Sequence, residues 1–522
     1  MVAGANPWEY HMKKFFSFFI SRMFIVFALI GIQAWIIISL FLYFDDQSEV
    51  IRTVFWVISL VMVLYIVNKR QNPSYKLAWI IVILVLPVFG VLMYIFFSQR
   101  QLTRRLRRKA ELELEKSRPL LGQDRRVTHE LEQKSLDALR QTDYIRRAST
   151  FPVYDKTESE YFSSGEAFFG QLKTELEKAE RYIFMEYFIV EKGVMWDSVL
   201  EILQRKVAEG VDVRFMYDDM GCARTLPFRY FKRLREMGIK ATVFNPLRPE
   251  LSSIFNNRNH RKVTVIDGHT AFCSGANLAD EYINAIERFG HWKDGAVMLK
   301  GAGAWAFAVM FLQAWNFMMQ EDSDYSVFRP KPEELDGRGS DGYVQPFTDD
   351  PMDDEYVSEN TYMNMLSRAK RYLYINTPYL ILDNEFMTAL ENAAKSGVDV
   401  RITTPHIPDK KMVFLLTRAH YEELLKAGVR IYEYTPGFIH TKTFVCDDEF
   451  GIIGTINLDY RSLFLHYECG VWLYGTKAIG QLKEDYLETL KVCEEVSYDE
   501  ICHRPWYIRL MQAILRVFAP LM

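Results

Sequence analysis

The chain has 522 residues, 49% of them hydrophobic and 15% aromatic, with a formal net charge of −4. That length allows several domains, and the apolar excess over an ordinary soluble enzyme asks for a membrane-facing part. The slight negative charge argues against a nucleic-acid binder working by bulk attraction, and the six cysteines, with no C-x-x-C pair, read as buried free thiols.

In chain order, the apolar excess comes first. Met23–Phe44, Thr53–Asn68 and Leu77–Gln99 carry no charge. A bilayer core of about 30 Å takes roughly 20 helical residues, so the first and third segments are long enough to span. The second is short and would rely on Arg52 and Lys69 reaching the headgroups. Residues 1–110 are therefore predicted to be a membrane anchor with two to three transmembrane helices. Basic residues flank these segments almost evenly; the densest run, Arg104 to Lys109, follows the last one and tilts the choice towards a cytoplasmic catalytic part. Residues 111–150 read as a charged, solvated helical linker.

A repeat follows. RYIFMEYFIV (181–190) matches RYLYINTPYL (371–380), AEGVDVRF (208–215) matches KSGVDVRI (395–402), and FKRLREMGIKATVFNP (231–246) matches YEELLKAGVRIYEYTP (421–436). Short β-branched runs alternating with helical patterns predict an α/β fold with a largely parallel sheet in each half. The lobes are placed at 151–329 and 343–502, with PKPEELDGRGSDG (330–342) as the linker between them. AGAWAFAVMFLQAWNFMM (302–319) is predicted to be a buried helix of the first lobe, and 503–522 an amphipathic C-terminal segment suited to a membrane interface or to core packing.

Each half ends in the same block, HRKVTVID (260–267) and HTKTFVCD (440–447), which is His-x-Lys-x-x-x-x-Asp twice. Residues i and i+2 of a strand share a face, so His260 pairs with Lys262 and His440 with Lys442. Asp267-Gly268 and Asp447-Asp448 read as two-residue hairpin turns, with opposed positions summing to 535 and 895. That register sets His260 against Gly275 beside Ser274, His440 against Thr455, and Asn277 and Asn457 on the histidine faces. Asp267 and Asp447 then lie at the turns, as structural or supporting members of the motif. DGAVMLKG (294–301) aligns with ECGVWLYG (468–475), which offers Asp294 as the carboxylate for His260 and Glu468 for His440.

These residue types suit displacement at phosphorus. Lys262, Lys442, Asn277 and Asn457 can bind phosphate oxygens, while one histidine attacks and the other moves protons. No ligand-spaced cluster of Asp, Glu, His or Cys appears, so no metal or cofactor is expected and the lysines would supply the positive charge.

The two motifs resemble the signature of the phospholipase D superfamily, H-x-K-x(4)-D followed by G-x-x-N-like residues and present twice. Within it the chain is most similar to bacterial cardiolipin synthases, from QNPSYKLAWIIVILVLPVFG through NHRKVTVIDG, NLADEY and HWKDG to HTKTFVCDD, GTINLDYRS and YECGVWLYG. The resemblance implies a two-lobed fold whose motifs meet at the lobe interface. It implies transfer of a phosphatidyl group between two phosphatidylglycerols in the bilayer through a phosphohistidine, with His260 attacking and His440 as acid–base partner. It further implies a multi-pass protein of the bacterial cell membrane, with no nucleic-acid partner; oligomerisation stays open. A membrane-bound phospholipase D making phosphatidic acid would share every catalytic residue and is the alternative. Three departures show: Ser274-Gly275 where Gly-Ser is usual, Asn376 where Gln is expected, and His466 where Asn is usual.

Overall fold

The computed structural model describes residues 49–521 except 87–89, 92, 96–103, 248–256, 336–338 and 353–354, together with residues 31, 35, 38 and 39. The expected span Met23–Phe44 lies essentially outside the described residues. Helix α1 (Glu49–Asn68) is followed, after a short turn, by α2 (Pro73–Val85), opened by Asn72 accepting from Ser74 N–H and by Pro73 in the first turn.

The predicted continuous helix across Leu77–Gln99 does not form. Leu86 leaves helical geometry (φ −130°, ψ 75°) directly before Pro87, whose ring excludes the preceding residue from the α region. Beyond the break the chain turns back, and a Cβ on Gly90 would stand 2.6 Å from Ile83 Cα. Seven residues along one straight helix would be about 10 Å apart. Trp79 and Tyr94 meet edge to face across the fold at 5.5 Å. Among the described residues no helix is long and apolar enough to cross a membrane, so the two to three transmembrane helices of the sequence reading are not found there.

Helix α3 (Arg104–Ser117) opens the charged segment. That segment is packed, not merely solvated: Val127, Leu131, Ala138 and Ile145 join the core of the second lobe.

The first lobe contains β1 (Thr157–Phe162), β2 (Tyr182–Tyr187), β3 (Asp212–Asp218), β4 (Lys240–Phe244), β5 (Val263–Ile266), β6 (Thr270–Ser274), β7 (His291–Lys293) and β8 (Ala296–Gly301). The second contains β9 (Tyr343–Asp349), β10 (Tyr372–Asn376), β11 (Asp399–Pro405), β12 (Arg430–Tyr434), β13 (Gly437–Ile439), β14 (Thr443–Cys446), β15 (Phe450–Gly454), β16 (Glu468–Tyr474) and β17 (Cys493–Glu495). The sheet orders are β1-β8-β6-β5-β2-β3-β4 and β9-β16-β15-β14-β10-β11-β12-β17, so the sequence repeat is a structural repeat with one added edge strand.

Each sheet is mixed where a largely parallel one was expected. Only β2-β3-β4 and β10-β11-β12 run parallel; the motif strands and their outer neighbours are antiparallel. Parallel pairing needs a crossover of a dozen or more residues, which the helices supply early in each half and the short motif turns cannot.

The hairpin register also differs by one. Val263 pairs with Cys273 and Thr443 with Ile453, sums of 536 and 896, so each connection has three residues. Asp267 and Asp447 are bent into left-handed geometry (φ 52° and 56°), which aims their carboxylates back at the sheet. A one-residue slip reverses which side chains share a face, so the pairing read from a two-residue turn does not hold.

The two sheets face each other across an apolar layer in which Val263, Cys273 and Val297 meet Val445, Ile453 and Cys469. The long apolar helix α4 (Ala304–Met319) is buried as predicted, with Gln313 donating to Ser117 and Asn316 to Glu113 of α3. Strand β7 pairs with β13 across the lobes. The C-terminal segment forms α5 (Trp506–Phe518). All six cysteines are free, four buried and Cys493 and Cys502 half-buried.

Candidate active site

The repeat brings both motifs to the seam between the lobes. His260 N–H donates to the Tyr467 carbonyl (2.9 Å), and His440 N–H donates to the Lys293 carbonyl (2.7 Å). The next residue after each of these carbonyls is an acid, and it reaches the histidine of the opposite lobe. His260 Nδ1 lies 2.8 Å from Glu468 Oε1, and His440 Nδ1 lies 2.7 Å from Asp294 Oδ2. The pairing read from the sequence, Asp294 with His260 and Glu468 with His440, is therefore crossed. A repeat in sequence offers each acid to both histidines equally; only the docking of the lobes chooses.

The carboxylates are themselves held. Thr455 Oγ1 donates to Glu468 Oε2 (2.5 Å), and Gly295 N–H donates to Asp294 Oδ1 (2.9 Å). A Cβ on Gly275 would stand 2.1 Å from Asp294 Oδ1, so glycine is what leaves room for that carboxylate. Ser274 Oγ donates to the Ala276 carbonyl (3.0 Å).

Both lysines are fully buried beside the histidines. Lys262 Nζ donates to the His260 carbonyl (2.5 Å); Lys442 Nζ donates to the His440 carbonyl and stands 3.1 Å from His440 Nε2. Burial pulls the lysines down, Lys262 to about 7 and Lys442 to about 8, against the raising influence of Glu468 and Asp294 respectively. Burial and the two lysines also drive His260 well below its ordinary value. His440 falls to about 4 for the same reasons, with Asp294 working against the fall. Burial would raise Asp294, but His440 and Lys442 hold it below the usual carboxylate range. Nδ1 of each ring is turned to its acid, which leaves Nε2 as the nitrogen open to a substrate.

Asp267 and Asp447 take no part in this cluster. The Asp267 carboxylate accepts from the backbone N–H of Glu180, Arg181 and Tyr182, each at 2.8 Å. Asp447 does the same for Lys370, Arg371 and Tyr372, at 2.7, 2.9 and 2.9 Å. They staple the start of the first parallel strand of each lobe to the motif turn.

The asparagines differ from each other. Asn277 is engaged at both ends, accepting from Ile189 N–H (2.9 Å) and donating to Tyr282 Oη (2.7 Å). The amide oxygen of Asn457 is buried without a hydrogen-bond partner among the described residues. Of the two, Asn457 is the one with an open acceptor, which a ligand hydroxyl could meet.

Sequence patterning missed the aromatic walls. Phe188 packs on His260 (5.0 Å) and under Lys262 (5.3 Å), while Tyr282 and Trp292 flank His440 at 5.5 and 5.2 Å. Phe188 lies in the repeated RYIFMEYFIV stretch, but its counterpart is Pro378, so the repeat hides it. His466, the residue standing where Asn is usual, also reaches the site, its ring 5.5 Å from His260 and its Nδ1 3.8 Å from Glu468.

Among the described residues, His260, His466 and Glu468 are one set whose donor atoms lie within 4.8 Å of one another and could hold a metal ion. The set fits a resident cation poorly. His260 Nδ1 is already spent on Glu468, and the two buried lysines occupy the neighbourhood with positive charge of their own.

Comparison with known proteins gives the family. The family description "Cardiolipin synthase, PLD-like domain" matches residues 172–287 and 362–490, and "Phospholipase_D-nuclease N-terminal" matches 54–99. A cardiolipin synthase of Geobacillus sp. (strain WCH70) is 34% identical over 472 residues, 89% of this chain and 92% of that protein. One from Halalkalibacterium halodurans is 32% identical over 459 residues, 87% and 90% of the two chains. An uncharacterized protein of Streptococcus mutans is 44% identical over 460 residues, 88% and 99%. In fold, the chain is similar to phosphatidylserine synthase of Haemophilus influenzae, with TM-score 0.55, 16% identity, and 73% of this chain and 98% of that one covered. With both half-sites present and relatives matching over nearly their whole length, the chain belongs to the cardiolipin synthase family of the phospholipase D superfamily and is a phosphatidyltransferase.

Proposed function

We propose that the enzyme joins two phosphatidylglycerols into cardiolipin and glycerol through a phosphohistidine on His260. The observation that carries this reading is the crossed pair of carboxylate–imidazole contacts, which leaves one Nε2 per lobe reactive beside two buried lysines. His440 takes up a proton at Nε2 as the phosphodiester anion binds; His260 Nε2 then attacks phosphorus, the P–O bond to glycerol breaks, and His440 gives that proton to the departing oxygen. The hydroxyl of a second phosphatidylglycerol then gives its proton to His440 and attacks, the P–N bond breaks, and cardiolipin leaves. Lys262 and Lys442 hold the phosphate oxygens, with the Asn457 Nδ2–H group as a further donor; the lysine charge is preorganised and already desolvated.

The division of roles follows the electrostatics. A nucleophile must be neutral, and burial beside Lys262 and Lys442 favours the neutral form of His260. A proton carrier must gain and lose a proton, and His440 keeps the raising influence of Asp294, to which a bound phosphodiester anion adds. The substrate is a bilayer lipid, so we place the enzyme at the bacterial cell membrane with its apolar front helices as the attachment.

The test supplies purified enzyme with phosphatidylglycerol vesicles and identifies products by mass. Cardiolipin and free glycerol in equal amounts are expected. Phosphatidic acid as the sole product would replace transfer by hydrolysis.

A further inference from the structure

Helix α5 is attached by one face and bare on the other. Gln512 donates to the Leu415 carbonyl (3.1 Å), Leu515 is buried, and Arg516 pairs with Glu423 (2.8 Å), which fixes this face to the second lobe. Trp506, Leu510, Ile514 and Phe518 recur every four residues on the outer face, with Tyr507 and Met511 beside them. Their exposures run from 75% at Trp506 through 54% at Leu510 and 52% at Ile514 to 37% at Phe518. Few soluble surfaces leave so continuous an apolar stripe in water.

What covers it is indicated by its neighbours. Leu521, three residues beyond α5, packs into the cluster of Ile66, Trp79, Ile83 and Tyr94 that joins the front helices. Helix α2 lies against α5, and Asn72 at its start donates to Asp383 of the second lobe (2.7 Å). Helix α1, packed on α2, carries a bare apolar face of its own, with Trp56, Leu60 and Leu64 each at least half exposed. Three bare apolar helices of one unit, on an enzyme whose proposed substrate is a bilayer lipid, share one solvent. The length of α5 decides its orientation: 13 residues reach about 20 Å, too short for a hydrocarbon core of about 30 Å. Arg509, half exposed beside the stripe, suits a headgroup phosphate, while the Trp506–Tyr507 pair suits the interface.

We propose that α5 lies flat in the headgroup layer of a phospholipid bilayer and, with α1 and α2, forms the face by which the second lobe is seated on the membrane. The proposal rests in part on the phosphatidylglycerol reading above, so its first test does not use activity. In the full chain, with Cys493 and Cys502 replaced by serine, a polarity-sensitive fluorophore is placed at Leu510→Cys or, as control, at Val194→Cys, a 64% exposed position on the first lobe. The protein is reconstituted in phosphatidylglycerol–phosphatidylcholine vesicles carrying an acyl-chain nitroxide. The label at 510 should shift to the blue and lose about half of its emission or more, and the label at 194 should not. A 510 label open to aqueous iodide overturns the proposal. A 510 label shielded from both iodide and nitroxide also overturns it, because another protein segment or a second copy then covers the stripe.

The second test makes Trp506→Ser/Leu510→Ser/Ile514→Ser. Turnover on vesicles should fall roughly tenfold or more, while turnover on short-chain phosphatidylglycerol below its micelle concentration stays unchanged. An equal fall on both substrates overturns the proposal. Failure of wild-type enzyme to make cardiolipin from either substrate refutes the transferase reading, and the fluorophore result then decides the helix alone.

Discussion

Crossed pairing makes a kinetic prediction that uncrossed pairing would reverse. If Glu468 serves His260, then Glu468→Gln removes the negative charge against which the phosphorylated, cationic ring forms. Two unit charges about 4 Å apart at an effective dielectric of about 20 interact by about 4 kcal/mol. At about 1.4 kcal/mol per tenfold, adduct formation should slow by about 10³. Loss of the Nδ1–H contact of 2.8 Å also lets the ring take the wrong tautomer, which adds to the loss. Asp294→Asn should spare adduct formation and slow its breakdown, because it serves His440, the proton carrier. The assay is rapid quench with a phosphatidyl donor bearing a good leaving group, for which the acid step is dispensable. The adduct is located by peptide mass. Glu468→Gln should form the His260 adduct slowly, and Asp294→Asn should accumulate it. A His260 adduct forming at the wild-type rate in Glu468→Gln, with Asp294→Asn blocked, would refute the crossed assignment. An adduct on His440 would instead exchange the roles of the histidines.

Lys262→Met should cost about 3 kcal/mol or more in kcat/KM, by analogy with loss of one oxyanion donor, while the thermal midpoint holds or rises, because a buried ammonium is removed; a fall in the midpoint by scanning calorimetry would count against that burial. Asp267→Ala should act oppositely, losing an acceptor of three backbone N–H bonds and destabilising by roughly 3 kcal/mol or more, with activity per folded molecule little changed; denaturant melts and active-site titration check it. The lysines are depressed to about 7 and 8, so kcat/KM should fall above that range as the ammonium charge is lost. Over the same window, up to the ordinary lysine value, the unfolded chain holds protons the folded one lacks, so the lysines' contribution to stability rises with pH; activity and stability profiles measured together should diverge. Activity should survive a strong chelator at constant ionic strength, and complete loss restored by one divalent ion would overturn the lysine-for-metal reading.

Much of the site was legible along the chain because its chemistry is local in sequence. A histidine and a lysine two residues apart, followed by an aspartate at a turn, need only a strand and a tight connection, and both copies declare themselves by repetition. The helix at 304–319 was equally legible, since an apolar run with two polar residues is what a buried helix with two tethering amides requires. The broken helix at Leu86 was readable in principle from Pro87, but an apolar run outweighed one proline in the reading.

Sequence by itself determined the composition of each half-site, the duplication, and the alternation that yields three parallel strands per lobe. Tertiary structure alone decided the hairpin register, because Asp267 and Asp447 bend to reach backbone N–H groups about 75 to 87 residues away. It also decided which acid serves which histidine. Internal symmetry makes Asp294 and Glu468 equivalent in sequence, and docking breaks the tie by giving the His260 N–H to Tyr467 and the His440 N–H to Lys293, each one residue before the acid that follows it into the site.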